Sequence, residues 1–476
     1  MRFQKLKIAI LLLLSVVTLQ AQDYPFVLPA NITATYDIDT KSAQTFNNNL
    51  LGLNIDWHAG YESKGYNHPD AKSFMRNYKP VSVRFPQGVW SNFYDWKLDA
   101  RRRYDDYDNK EFVNPVENFQ HIRYGFPGFT ELHSELGFDV MWTWNMNYDS
   151  NQKSVERLRD HVSKGFKVQD IELGNELFWG TQKSHRVSTP EKFYAVAKSL
   201  SDTLKKIDPT IKISIPVSWR RGKNIDKFDH THYNQVMTAD SSYFDAISVH
   251  RYVHLDRGKD TVSQDAYKGI LTARLDYVDD VNYCRSLAPG KPVWLTEWGV
   301  SCGYRAASYL GMADSYLYIF ENPDIYTRTC WFQINGYDAF FKTEIKDNKK
   351  VITKRGFGSV YEIIRSVFQD SKLLNGKMAT TQLLPGANAV TAGAVLKDGK
   401  FQAFVVNLSN QSVPFSLKLD GKKYNKSLKH KAMNFNCLGE DRIIALEENP
   451  LKLVKTKKNE IILAPYSVNI ISENKF

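Results

Sequence analysis

Between about residue 48 and residue 370, short apolar runs alternate with longer stretches of helical period. An apolar run bounded by turn residues reads as a buried strand, and recurrence at i, i+3 and i+4 reads as a helix packed on it. The segment therefore predicts repeated βα units around a parallel sheet. Strand candidates fall at 50–55, 81–85, 139–144, 170–174, 211–217, 245–249, 293–296 and 329–334. Eight such units predict an α/β fold of the (β/α)8 TIM barrel class. One intervening helix can be followed residue by residue: Thr189 suits the N-cap, Pro190 the first helical position, and Glu191 the positive end of the helix. Phe193, Val196, Ala197, Leu200, Leu204 and Ile207 then recur at helical spacing until Asp208-Pro209 stops the run. The last barrel helix is expected near 358–368.

After Asn375-Gly376 the period changes to two, with short strands separated by turn residues, for example at 402–408, 414–419 and 460–472. This predicts a small C-terminal antiparallel β-sandwich over 376–476, a barrel over 47–375, and a leader over 22–46 that pairs with the sandwich. At the amino terminus Arg2, Lys5 and Lys7 precede an apolar stretch at 8–17, and the small residue Ala21 follows it. That run is too short to span a bilayer and predicts an export signal over residues 1–21, so the mature protein is expected to be secreted or periplasmic.

With 42% hydrophobic and 24% charged residues among 476, disorder, collagen and coiled coil are excluded as the main state. The formal net charge is +11, or +8 without the three cations of residues 1–21, and residues 376–476 hold fifteen Lys/Arg against eight Asp/Glu, a net +7. Nearly all the excess therefore sits in the last fifth of the chain as a solvated Lys-rich face, and nucleic acid is not an expected partner. Cys284, Cys302, Cys330 and Cys437 are widely spaced and form no Cys-x-x-Cys pair, which argues for buried thiols over a disulfide framework or a structural zinc site.

Two carboxylates stand at the C-terminal ends of predicted barrel strands, where active sites of such barrels are built. Glu176 ends Ile171-Glu172-Leu173-Gly174-Asn175-Glu176 on strand four, and Glu297 lies in Val293-Trp294-Leu295-Thr296-Glu297-Trp298-Gly299 on strand seven. A carboxyl pair of this kind supports glycosidic bond cleavage, one protonating the leaving oxygen and the other attacking the anomeric carbon or activating water.

In these residues the chain resembles the retaining glycoside hydrolases of clan A. Ser82-Val83-Arg84-Phe85-Pro86-Gln87-Gly88 is similar to the strand-two motif of their arabinofuranosidase, xylosidase and glucuronidase branches, although many relatives have Gly at the position of Gln87. Leu463-Ala464-Pro465-Tyr466-Ser467-Val468 is similar to the last strand of their accessory sandwich. The resemblance implies Glu176 as acid/base, Glu297 as nucleophile, and Asn175 as the partner of the sugar 2-hydroxyl. It also implies Arg84 as the cation that keeps Glu297 charged, Tyr252 as a hydrogen-bond donor to Glu297, and His250 as a support for sugar hydroxyls. No cofactor is implied, and a metal reading of His250 and His254 lacks a helical His-Glu-x-x-His pattern. Acid catalysis near neutral pH predicts a raised pKa for Glu176, from burial and from the charge of Glu297. Retention predicts carboxyl groups about 5–5.5 Å apart rather than the roughly 6.5–9.5 Å of an inverting site.

Trp90, Trp96, Trp144, Trp179, Trp219, Trp298 and Trp331 lie at or just after strands, where flat rings can stack on sugars; Trp331, Trp179 and Trp298 are the foremost platform candidates. Trp142 and Trp294 are expected between barrel and helices. Lys183, His185 and Arg186, then Arg220, Arg221 and Lys223, then Arg251, Arg257 and Lys259 follow strands four, five and six. These loops suit a polysaccharide or oligosaccharide bearing sulfate or carboxylate groups. The expected activity is hydrolysis of a plant or algal glycan, either exo-acting in the arabinofuranosidase or xylosidase manner or endo-acting in the agarase or porphyranase manner. The rival reading is a catalytically silent barrel that only binds glycans.

Overall fold

The computed structural model describes residues 24–55, 64–101, 123–223, 228–334, 338–347, 349–455 and 460–473. The export signal expected over 1–21 lies outside them. Eight parallel strands close a barrel in chain order: Gly52–Asn54, Ser82–Phe85, Asp139–Trp144, Asp170–Leu173, Lys212–Pro216, Ala246–His254, Val293–Ser301 and Tyr326–Trp331. They are barrel strands one to eight below. Their near-continuous burial follows from being covered on both faces, by helices outside and side chains within. The helix that opens at Thr189 runs Pro190–Ile207, with the Thr189 hydroxyl accepting from the Lys192 amide, and the last barrel helix runs Gly356–Phe368.

Alternation along the strands sends every second side chain inward, and the barrel interior is layered accordingly. At the N-terminal end Arg328 pairs with Asp139 and Asp170 and donates to the Ser82 hydroxyl. Above them Met141, Ala246, Trp294 and Cys330 form an apolar plug separate from the main core. Trp294 is thus a barrel-interior residue, not one of the barrel–helix layer as its neighbours suggested. Trp142 does lie in that layer, against Phe126, His161 and Phe166. The third layer is polar: Asn54, Arg84, Thr143, Glu172 and Thr296, all wholly buried.

Two further sheets follow, one mixed and one wholly antiparallel. In the mixed sheet Ala34–Ile38 runs antiparallel to Gly376–Thr380 but parallel to Val413–Leu419; in the other, Val390–Lys397, Lys400–Asn407, Ser467–Glu473 and Leu428–Asn434 are consecutive neighbours. The segment expected as one strand at 460–472 is two, Ile461–Leu463 and Ser467–Glu473, in different sheets. Pro465 has no N–H for a ladder and Tyr466 has φ 47°, so the chain turns there and changes sheet. A hairpin, Phe341–Lys346 with Lys349–Arg355, leaves barrel strand eight and pairs with Ile443–Ala445. All four cysteines are free thiols. No helix among the described residues is long and apolar enough to cross a membrane.

Candidate active site

The ends of strands four, six and seven meet at the C-terminal mouth. Past strand four, Gly174 takes φ 80° and Glu176 φ 44°, and the Trp179 amide closes the turn onto the Glu176 carbonyl at 2.9 Å. A left-handed glutamate costs on the order of 1–3 kcal/mol and persists only where its surroundings hold it, as they do at functional sites. Strands six and seven are nine residues each, longer than their apolar runs, because polar residues that face the mouth continue the ladder. A register shift between Ser248 and His250 sets His250 opposite Glu297 and Tyr252 opposite Gly299. A Cβ on Gly299 would stand 3.2 Å from His254 Nε2, tighter than ordinary contact, so glycine there leaves room for the strand-six side chains that lie over strand seven.

Glu297 is gripped at both oxygens. Arg84 Nη1 donates to Oε1 at 2.6 Å and the Tyr252 hydroxyl donates to Oε2 at 2.6 Å. Arg84 is wholly buried and also binds Glu172, at 2.6 Å, and the Asn175 side-chain oxygen, at 2.8 Å. Glu172 accepts further from Thr296 at 2.7 Å and faces His250 Nε2 at 3.5 Å. Burial alone would raise the Glu172 carboxyl, but the Arg84 charge and His250 outweigh it and hold it at about 2.

His250 Nδ1 lies 3.1 Å from Glu176 Oε1 and 3.6 Å from Glu297 Oε2. Burial disfavours its charge, yet Glu297, Glu172 and Glu176 together push its pKa up to about 10, so it is an imidazolium among three carboxylates. This reverses the expectation for Glu176. Burial raises its carboxyl, but the hydrogen bond and charge of His250, then Gln182 and Arg84, bring it below the usual range. The shared charge therefore favours the proton on the His250 side of the Glu176–His250 pair. One donor atom each from Glu176, His250 and Glu297 lie within 4.8 Å of one another. Such a spacing suits a cation, and here the imidazolium itself is the charge the carboxylates share.

Glu176, Glu297, Asn175, Arg84, His250 and Tyr252 are therefore brought together at one mouth, and Glu176, with 22% of its side chain exposed, is more open than Glu297 at 7% or His250 at 3%. Asn175 Nδ2 donates to Gln182 Oε1 at 2.9 Å and keeps a second hydrogen. Trp331 and Trp298 are not platforms. Both are wholly buried, edge to face at 4.8 Å, and Trp331 packs on Phe357, because their strand positions point outward to the helices. Trp144 is buried likewise and carries Arg157 on its ring. Trp179 and Trp219 are half-buried at the rim. His254 turns away from the carboxylate pair to Asp338, at 3.1 Å.

Sequence reasoning missed Glu172, Gln182 and Asn92. Glu172 was legible in principle, since a charged residue flanked by Ile171 and Leu173 on a barrel strand must point inward. Gln182 donates to Glu176 Oε2 at 3.0 Å, and Asn92 clamps the Asn175 backbone through its carbonyl, at 2.7 Å, and its amide, at 3.0 Å. Both sit in short 3-10 turns with no periodic signal.

No family model matches the chain, and no curated relative matches it. Solved structures do. The GH51 α-L-arabinofuranosidase from Thermotoga petrophila superposes with a TM-score of 0.70 at 15% identity, over 93% of this chain and 100% of that one. The GH51 arabinofuranosidase from Xanthomonas axonopodis pv. citri gives 0.69 at 15%, over the same shares. A Paenibacillus polymyxa xyloglucanase of family GH44 gives 0.62 at 13%, over 92% and 99%. At these identities the likeness is one of fold: a closed eight-strand parallel barrel with a C-terminal β-sandwich.

Proposed function

We propose that the chain is an exported retaining glycoside hydrolase that cleaves glycosidic bonds of a plant or algal polysaccharide, or its oligosaccharides, by double displacement. One observation carries this reading: an oxygen of Glu176 and one of Glu297 lie within 4.8 Å across the barrel mouth. That gap suits a covalent glycosyl intermediate and is too narrow for the water an inverting site must seat between its carboxyls.

Glu297 attacks the anomeric carbon, with its two oxygens oriented by Arg84 and Tyr252, and the bond to the leaving oxygen breaks as that oxygen takes a proton from Glu176. His250 holds this proton 3.1 Å from Glu176 in the resting site and returns it as the leaving oxygen approaches. Deprotonated Glu176 then takes a proton from water, which attacks the same carbon and releases Glu297. The free hydrogen of Asn175 is placed for the sugar 2-hydroxyl.

The test is a screen of aryl glycosides and of neutral and sulfated galactans with wild type, Glu176→Ala and Glu297→Ala. Both variants are expected to lose at least about a thousandfold in kcat, in line with the loss of a covalent nucleophile or its acid. Activity untouched by Glu297→Ala excludes it as nucleophile, and no turnover on any glycan by wild type restores the silent binder. Proton NMR of the first-formed product decides retention.

A further inference from the structure

The turn that carries Glu176 leads into positive charge that no acid among the described residues pairs with. Lys183 is adjacent in the chain to Gln182, which donates to Glu176, and its ammonium lies 4.3 Å from the centroid of Phe228. Arg220, after strand five, is exposed, with its guanidinium carbon 5.4 Å from the Trp179 ring centroid and 4.9 Å from that of Trp219. Among the described residues neither cation has a carboxylate partner. Two other cations of this rim are paired: Arg251, which also lies on Trp219, is held by Asp280 at 2.6 Å, and Lys259 by Asp256, whereas Arg186 and Arg221 donate to backbone carbonyls.

Lys183 and Arg220 act on a common point. His230 is buried against Trp179, Phe178 and Phe228 at ring distances of 5.1–5.8 Å, and its pKa is lowered by burial, then by Arg220 and by Lys183, against the opposing charge of Asp229. Burial alone pushes the Lys183 ammonium down to about 8. A half-desolvated ammonium with no counter-charge is unfavourable by itself, and an arriving anion relieves it. An arginine laid on two indoles keeps its planar fork in one orientation, ready for a two-oxygen acceptor.

We propose that Lys183 and Arg220 form a subsite for an anionic group of the glycan, a sulfate ester or a uronate carboxylate. The group belongs to the sugar on the leaving-group side of the scissile bond. The side follows from Glu176: the residues around the proton donor meet the leaving sugar. The inference rests on the hydrolase reading for the identity of the ligand as a glycan.

The experiment is affinity electrophoresis of the full chain carrying Glu297→Gln, in native gels containing sulfated porphyran, polygalacturonate or neutral agarose. Retardation is expected at about tenfold lower concentration of one of the two anionic polymers than of agarose, and which one tells sulfate from carboxylate. Lys183→Met and Arg220→Gln should each weaken that retention about tenfold, and added salt should weaken it further. The double variant Lys422→Met/Lys423→Met, on the exposed sandwich edge, should leave it unchanged. Arg220 is exposed, so its variant folds whatever becomes of Lys183→Met. Equal retention by agarose overturns the subsite, as does loss in the sandwich variant instead of the rim variants. Rim-dependent retention without turnover of any glycan by wild type leaves the subsite standing and removes the hydrolase reading; turnover without anionic preference does the reverse.

Discussion

Replacing Arg84 with methionine removes the one cation that the polar barrel layer shares. Its guanidinium binds both Glu172 and Glu297 at 2.6 Å in a region closed to water. A carboxyl held at about 2 instead of its ordinary 4.5 owes its charged form about 3 kcal/mol. Breaking a buried pair at one partner costs about 3–5 kcal/mol, because the other charge stays buried. Arg84→Met is therefore expected to lower the stability at neutral pH by about 3 kcal/mol, read as the shift of the urea midpoint at constant slope. The sign with pH is fixed. Glu172 has a depressed folded pKa, so its contribution is complete above about 4.5 and is lost as the pH falls toward about 2. The gap between wild type and Arg84→Met must shrink over that window. In the cycle with Glu172→Gln, the coupling between the two positions should approach the full 3 kcal/mol or so. A coupling below about 1 kcal/mol, or a gap that does not change with pH, refutes the electrostatic account of this layer.

The same linkage applies to His250 with opposite sign: its raised folded pKa stabilises fully below about 6.5, and the contribution fades as the pH rises through about 10, so His250→Gln should flatten the alkaline side of the urea-midpoint profile. In kinetics, His250→Gln leaves the catalytic proton on Glu176 alone, and the alkaline limb of kcat/KM should move to lower pH; an unmoved limb refutes the shared proton. Trp331→Ala should cost about 3–5 kcal/mol in stability with KM on an aryl glycoside unchanged, whereas a raised KM with little lost stability would make it a sugar platform after all.

Local pattern carries a great deal here. Strand positions follow from apolar runs and turn residues, which act over a few neighbours, and seven-residue stretches such as Ser82 to Gly88 hold their meaning within themselves. Hence the eight strands, the capped helix Pro190–Ile207 and the two mouth carboxylates are legible along the chain itself. The strand break at Pro465 is legible too, from the missing amide, though the run around it reads as continuous.

What lay beyond the sequence is whatever depends on which strand neighbours which and in what register. Trp298 follows Glu297 directly, yet one faces the mouth and the other is sealed under helices, a difference set by a one-residue register shift. The protonation of Glu176 is decided by His250, seventy-odd residues away, and by Arg84 and Glu172, which meet only once the barrel closes. Composition and period follow from covalent neighbours and so can be read along the chain. Charge balance follows from distances in space, which in this protein exist only after eight strands have joined edge to edge.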